Sequence, residues 1–152
     1  MDTSQSTPGT VYFAISITVL FGLLWRTGGQ IDHAPIAAAA AMAMTLGDAS
    51  ASIIGRRWGT HAYTVFGHSR SWEGTAAMAS TSFSGISTTL LLLPGSALSP
   101  NSLPWNAPTA VLLSLIGTVV ATVAEALSPA GADNLSVPLL SRLALYVLSD
   151  LV

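Results

Sequence analysis

Residues 34–59 read APIAAAAAMAMTLGDASASIIGRRWG, and the reading of this stretch decides the fold. Apolar and small residues run from Ala34 to Leu46, and the first charge is Asp48. Residues 34–55 approach the roughly 20 residues a helix needs to cross hydrocarbon. Gly47, Ala51, Gly55 and Gly59 recur every four residues, a small stripe that permits close helix contact. Asp48, Ser52 and Arg56 form a second stripe beside it. An acid in a membrane helix is expensive and usually serves a ligand, a pore or a partner. Asp48 is therefore either a functional carboxylate or an ion-pair partner of Arg56, two turns away.

The whole chain shares this character. Of its 152 residues 51% are hydrophobic and 8% charged, against roughly 25% charged in ordinary globular chains. Five basic and seven acidic residues would barely cover a soluble domain. Further apolar blocks at residues 11–25, 74–94, 108–128 and 137–152 predict an all-α, polytopic membrane protein of about five helices. Pro138 falls in the tolerated first turn of the last block. A polar tail, 1–10, precedes a single helical domain, 11–152, and its acidic start carries no sign of a cleaved leader.

The net charge of −2 offers no attraction to nucleic acid. Cysteine and lysine are both absent, which excludes disulfides, thiolate chemistry and a lysine-bearing phosphate loop. Any phosphate would be held by arginine, histidine, backbone amides or a metal. Residues 56–73, RRWGTHAYTVFGHSRSWE, form a basic loop with Arg56, Arg57 and Arg70. The positive-inside rule places it on the cytoplasmic side. Alternation brings the N-terminus and the PAGADNLS turn, 129–136, to that side as well.

Two polar zones could carry chemistry. In HSRSWEGT, Ser71 suits a helix N-cap and Glu73 the first turn, while Arg70 and Gly74 are left unexplained by capping. A Ser/Arg-rich turn that opens a helix is also a place for phosphate. The second zone joins Glu125, at the end of an otherwise uncharged helix, to Asp133 and Asn134. Glu125 either snorkels to the headgroups or belongs to a site, and Asp133-Asn134 is either an Asx turn or part of that site. Asp48, Glu73, Glu125 and Asp133 on one face would repel one another without arginines or a divalent metal, and oxygen ligands alone select Mg²⁺ or a similar hard ion. His33, His61 and His68 lack metal-ligand spacing; a loop histidine is usually solvated, and His68, near Arg70, is the better base of the loop pair.

Three segments, GDASASIIGRRWG (47–59), SRSWEGTAAM (69–78) and EALSPAGADNLSVPL (125–139), together resemble the membrane family of polyprenol, phytol and diacylglycerol kinases over roughly residues 36–150. The resemblance implies a kinase that uses CTP to phosphorylate the hydroxyl of a membrane isoprenoid or lipid alcohol. It implies catalytic roles for Asp48, Glu125 and Asp133, with Mg²⁺ shared by Asp48 and Asp133. It places Arg56, Arg70, Ser71, Glu73, Gly74 and Asn134 around the nucleotide phosphates. Arg70 stands where the family usually has lysine, keeping charge but not the compact ammonium. Many members of the family carry further helices before the Gly-Asp helix, where one is found here, which leaves a short form, a fragment, or half of a site shared in a homo-oligomer. The competing readings are a CTP-dependent phosphatidate cytidylyltransferase, whose terminal Asp-Arg segment is replaced here by GADNLSVP, and an inactive membrane scaffold or fragment.

Overall fold

Alanine makes the second helix the hub of the molecule. The computed structural model describes residues 7–24, 32–129, 131–149 and 151. Over these the order is α1 (Thr7–Leu24), α2 (Ala34–Trp58), β1 (Ala62–Val65), β2 (His68–Ser71), α3 (Trp72–Leu92), α4 (Ala107–Leu127) and α5 (Asp133–Ser149). Ala37, Ala39, Ala40 and Ala43 of α2 are fully buried, and α2 touches all four other helices. Short side chains on every side let neighbouring backbones approach, so one helix can be surrounded. Leu20, Ile36, Met78, Ile86, Leu113 and Leu145 fill the remaining core from all five helices.

The small stripe of α2 is the contact with α3. A Cβ added at Gly74 would lie 3.0 Å from the Ala51 carbonyl oxygen, 3.1 Å from Ser71 Oγ and 3.3 Å from the Gly55 Cα. One turn along, Gly47 faces Met78 and Ser82, and Ser82 donates to the Ala43 carbonyl at 2.9 Å. Glycine is required here because the two backbones cross at a distance that leaves no space for a side chain.

The elements depart from the sequence expectation in four places. A β-hairpin occupies the loop between α2 and α3, so the chain is helical with one two-stranded addition. Phe66 (φ 47°) and Gly67 (φ 81°) form its two-residue turn, the left-handed pair that suits the twist of a hairpin. α1 begins at Thr7, inside the stretch read as a polar tail. α2 runs on through Arg56, Arg57 and Trp58, and its last-turn arginines complement the helix dipole. Residues 1–6, Trp25, the 26–31 part of the first loop, Ala130, Asp150 and Val152 lie outside the described residues.

α5 starts at Asp133, which puts Pro138 inside the helix rather than in its first turn. Proline has no N–H, so the Asn134 carbonyl loses its donor one turn back. Ser16 of α1 reaches across and donates to that carbonyl at 2.6 Å, while also lying 2.8 Å from the Tyr12 carbonyl. The proline is tolerated because a neighbouring helix supplies the hydrogen.

Among the described residues, α2 and α4 are long and apolar enough to cross a membrane by length and composition. α3 falls short because it is rich in hydroxyls. Ser80, Thr81, Ser84 and Thr89 fold back onto carbonyls four residues earlier, which hides their polarity without making them apolar. α5, 17 residues long and carrying Arg142 within it, falls short as well. The outward faces of α1, α4 and α5 are nonetheless apolar, with Val11, Ile15, Leu115, Val119, Val123 and Leu143 exposed.

Candidate functional site

The hairpin delivers Arg70. In the register Tyr63↔Arg70 and Val65↔His68, these four side chains share the less exposed face. The Tyr63 hydroxyl lies 2.7 Å from Thr75 Oγ1 and its ring rests 5.0 Å from that of Trp72, while the Trp72 N–H donates to the His61 carbonyl at 3.0 Å. Strand β2 is thereby locked onto the first turn of α3, and the Arg70 guanidinium projects towards the end of α4 and the start of α5.

There it meets both acids of the second polar zone. Arg70 Nη1 pairs with Glu125 Oε1, and Nη2 lies 3.7 Å from Asp133 Oδ2 and donates to the Ser128 carbonyl at 3.0 Å. The Glu125 side chain is only 5% exposed, so an unpaired carboxylate there would be costly. Arginine is thus the cation that lets these two carboxylates coexist. Asp133 also accepts from the N–H of the next residue, Asn134, at 2.9 Å in the first turn of α5.

Between α2, the hairpin and the end of α4 lies a cleft of about 360 Å³. Asp48, Ser52 and Arg56 line one wall, Arg70, Ser71 and Gly74 another, and Glu125 stands where α4 ends. Asp48 is half-buried and makes no hydrogen bond or ion pair among the described residues, but it lies in the field of Asp133, Arg70 and Arg56. Its ion pair with Arg56 does not form. Arg56 instead donates through Nε to the Ser52 carbonyl at 3.0 Å and makes no ion pair among the described residues. The cleft therefore holds one arginine committed to acids and one that is not.

Ser71 caps α3, accepting from the Gly74 N–H at 3.1 Å. With the Trp72 and Gly74 amides both engaged, the first turn of α3 offers fewer free N–H groups than its sequence suggests. Glu73 does not line the cleft. It clasps the base of the hairpin, accepting from Thr60 Oγ1 at 2.6 Å and approaching His61 Nδ1 at 2.7 Å. The Thr60 hydroxyl first, then His61, hold its carboxyl down at about 2. Asn134 is likewise outside the cleft, its carbonyl occupied by Ser16.

The histidines stay outside too. His61 belongs to the Glu73 clasp, His68 sits on the hairpin, and His33 packs edge-on against Tyr146 at 5.1 Å. Sequence reasoning passed over Asp32, an acid 3% exposed at the start of α2. It accepts from the Ala34 N–H at 3.0 Å and from Ser99 Oγ at 2.5 Å, tying the α3–α4 connection to α2. Its position just ahead of an apolar helix was the available signal. Serines 128 and 136 were also missed; their hydroxyls pair with each other beside Arg70.

As for a metal, no group of three or more His, Cys, Asp or Glu side chains that could hold one occurs among the described residues. Asp48 and Asp133 nevertheless influence each other electrostatically. Mg²⁺ is usually held by one or two carboxylates completed by substrate phosphates and water. Two carboxylates could serve in that manner, but of this pair only Asp48 lines the cleft.

The chain is similar to phytol kinase of Synechocystis sp., 38% identical over 137 residues that cover 89% of this chain and 52% of that protein. It is 31% identical over 142 residues to probable phytol kinase 1, chloroplastic, of Oryza sativa subsp. japonica, covering 92% of this chain and 42% of that protein. Against probable phytol kinase, chloroplastic, of Triticum aestivum it is 30% identical, covering 92% and 44%. The chain spans about half the length of the curated relatives it matches, or somewhat less. No family model and no solved structure matches it. The likeness to these phytol kinases extends over about nine-tenths of this chain.

Proposed function

We propose that this chain carries the phosphoryl-transfer site of a membrane kinase acting on the hydroxyl of an isoprenoid alcohol of the phytol or polyprenol kind, with CTP as donor. One observation carries the reading. Three segments distant in sequence supply Asp48, Arg70 and Glu125 to the same cleft, and Arg56, without an ion pair among the described residues, lines it beside them. The relatives' names support the reaction class; CTP and the cytoplasmic orientation of the cleft rest on the motifs and on the basic loop. The apolar exterior of α1, α4 and α5 supports a membrane setting.

Phosphoryl transfer asks a protein mainly for positioning and for charge placed where charge develops. Arg56, which makes no ion pair among the described residues, lies on the cleft wall to meet the nucleotide phosphates. Arg70 fixes Glu125 and Asp133 and carries α5 against α4. When bound, Mg²⁺ would neutralise phosphate charge, and Asp48 and Asp133 are the residues that would hold it. The alcohol oxygen attacks the γ-phosphorus, the bond to the leaving CDP oxygen breaks, and the hydroxyl proton passes to a cleft acid, Asp48 or Glu125. Ser71 and Gly74 set the close crossing of α2 and α3 that brings the two walls together.

The test offers the purified chain in lipid a long isoprenoid alcohol and diacylglycerol, with CTP labelled at the α- or γ-phosphate. Label from the γ position alone, on the isoprenoid alcohol, is expected. α-Label would make the chain a cytidylyltransferase, and no label in either lipid would favour a scaffold.

A further inference from the structure

Resting on the reading of an isoprenoid-alcohol acceptor, we infer that the acceptor's hydrocarbon tail lies in a groove between α4 and α5, with its hydroxyl end at Ser128 and Ser136. This second concavity has a volume of about 730 Å³ and is separate from the polar cleft. Residue size explains its shape. Small side chains, Ala124, Ala132 and Ala144, form the floor, and the exposed Val123, Leu140 and Leu143 stand as its walls.

The groove is polar at one end only. Ser128 and Ser136 lie there, and the Ser128 carbonyl is the one that accepts Arg70 Nη2. Adjacent residues of α4 serve the two concavities, Ala124 the groove and Glu125 the cleft. Ser128 Oγ donates to the Ala124 carbonyl at 2.6 Å, so Ser136 is the donor within the serine pair. The lone pairs of Ser136 then remain to accept the O–H of an alcohol.

From Ser136 to Leu148 the groove follows α5 for about 18 Å at 1.5 Å per residue. That is close to one leaflet, about half of a roughly 30 Å hydrocarbon core. An alcohol anchored at the interface with its tail in one leaflet has the same direction, depth and polarity gradient. The occupant is therefore an amphiphile with a hydroxyl at one end and a long apolar tail, held with that end beside the wall shared with the cleft.

The chain contains no cysteine, so single cysteines report occupancy directly. The full chain in nanodiscs would carry Leu143→Cys in the groove or Val11→Cys on the exposed face of α1, and maleimide alkylation would be timed with and without a long isoprenoid alcohol. Slowing of about tenfold at Leu143→Cys, under about twofold at Val11→Cys, is expected. Adding Ala144→Phe, or Val147→Trp should the first variant misfold, should abolish the protection. No slowing, or equal slowing at both positions as bulk lipid would give, overturns the proposal. So does efficient intermolecular bismaleimide cross-linking through Leu143→Cys, which would mean a second copy covers the groove. The readout needs no nucleotide: protection without phosphoryl transfer would refute the kinase reading and keep the groove, and transfer without protection would do the reverse.

Discussion

Replacing Arg70 with alanine should destabilise the fold by about 3 kcal/mol, the low end of the roughly 3–5 kcal/mol lost when one partner of a buried ion pair is removed. The low end applies because the Arg70 side chain keeps 17% of its exposure, whereas Glu125 keeps 5%. The contact with Asp133, at 3.7 Å, adds little beyond this. At about 1.4 kcal/mol per factor of ten, the ratio of folded to unfolded chain falls roughly a hundredfold. Glu125→Gln should cost less, about 1–2 kcal/mol, since Arg70 keeps Asp133 and the Ser128 carbonyl. The double change Arg70→Met with Glu125→Leu removes both charges and should return to within about 1 kcal/mol of the parent. Denaturant unfolding in detergent, followed by helical circular dichroism, measures all three. The reasoning is refuted by an Arg70→Ala cost under about 1 kcal/mol, or by a double variant as unstable as the two single losses added together.

The Glu73 clasp should be pH-dependent in a stated direction. Its carboxyl sits at about 2 in the fold against an ordinary 4.5, so the clasp's contribution is complete above about 4.5 and disappears as pH falls through about 2. Trp72 fluorescence should follow that loss, and Glu73→Gln should flatten the acid limb; an unchanged limb would show that another group is responsible. At the helix crossing, Gly74→Ala should cost about 1–3 kcal/mol, because its Cβ would press on the Ala51 carbonyl. Gly22→Ala, where nothing lies within 4 Å, should be neutral or gain up to about 1 kcal/mol, and equal effects in thermal unfolding would contradict the crossing. Ser16→Ala should cost about 1–3 kcal/mol by orphaning the Asn134 carbonyl. Pro138→Ala restores the N–H and should remove most of that cost in the double variant, a coupling that denaturant titration would detect.

Much of this architecture is legible in the chain because membrane-like helices advertise themselves by unbroken apolar runs. The run of alanines marked α2, and the four-residue glycine spacing marked the face that meets α3. The hairpin was legible in principle: Tyr63, Thr64 and Val65 precede a Phe-Gly turn, but the three arginines around it gave the segment the character of a basic loop. Pro138 misplaced the start of α5, because local rules put proline in a first turn and the compensating Ser16 of α1 lies 118 residues from the Asn134 carbonyl it satisfies. In the site, acids could be placed at one end of the bundle by alternation, yet their pairing could not. Spacing left a choice of arginine or metal to hold them together, and the position of Arg70 on β2 depends on a strand register that the sequence did not reveal. Glu73 stands in the same motif as Arg70 and Ser71, yet one residue of rotation around the first turn of α3 points it to the hairpin base.

The central claim is that the cleft of Asp48, Arg56 and Arg70 moves a phosphoryl group onto a membrane alcohol. Transfer of γ-label from CTP to a long isoprenoid alcohol, compared between the parent chain and Asp48→Asn in the same lipid, tests it most directly. Asp48 makes no hydrogen bond or ion pair among the described residues, so its replacement should leave the unfolding midpoint nearly unchanged while lowering kcat by about a hundredfold or more. An Asp48→Asn chain that folds normally and transfers label at the parent rate would contradict the claim.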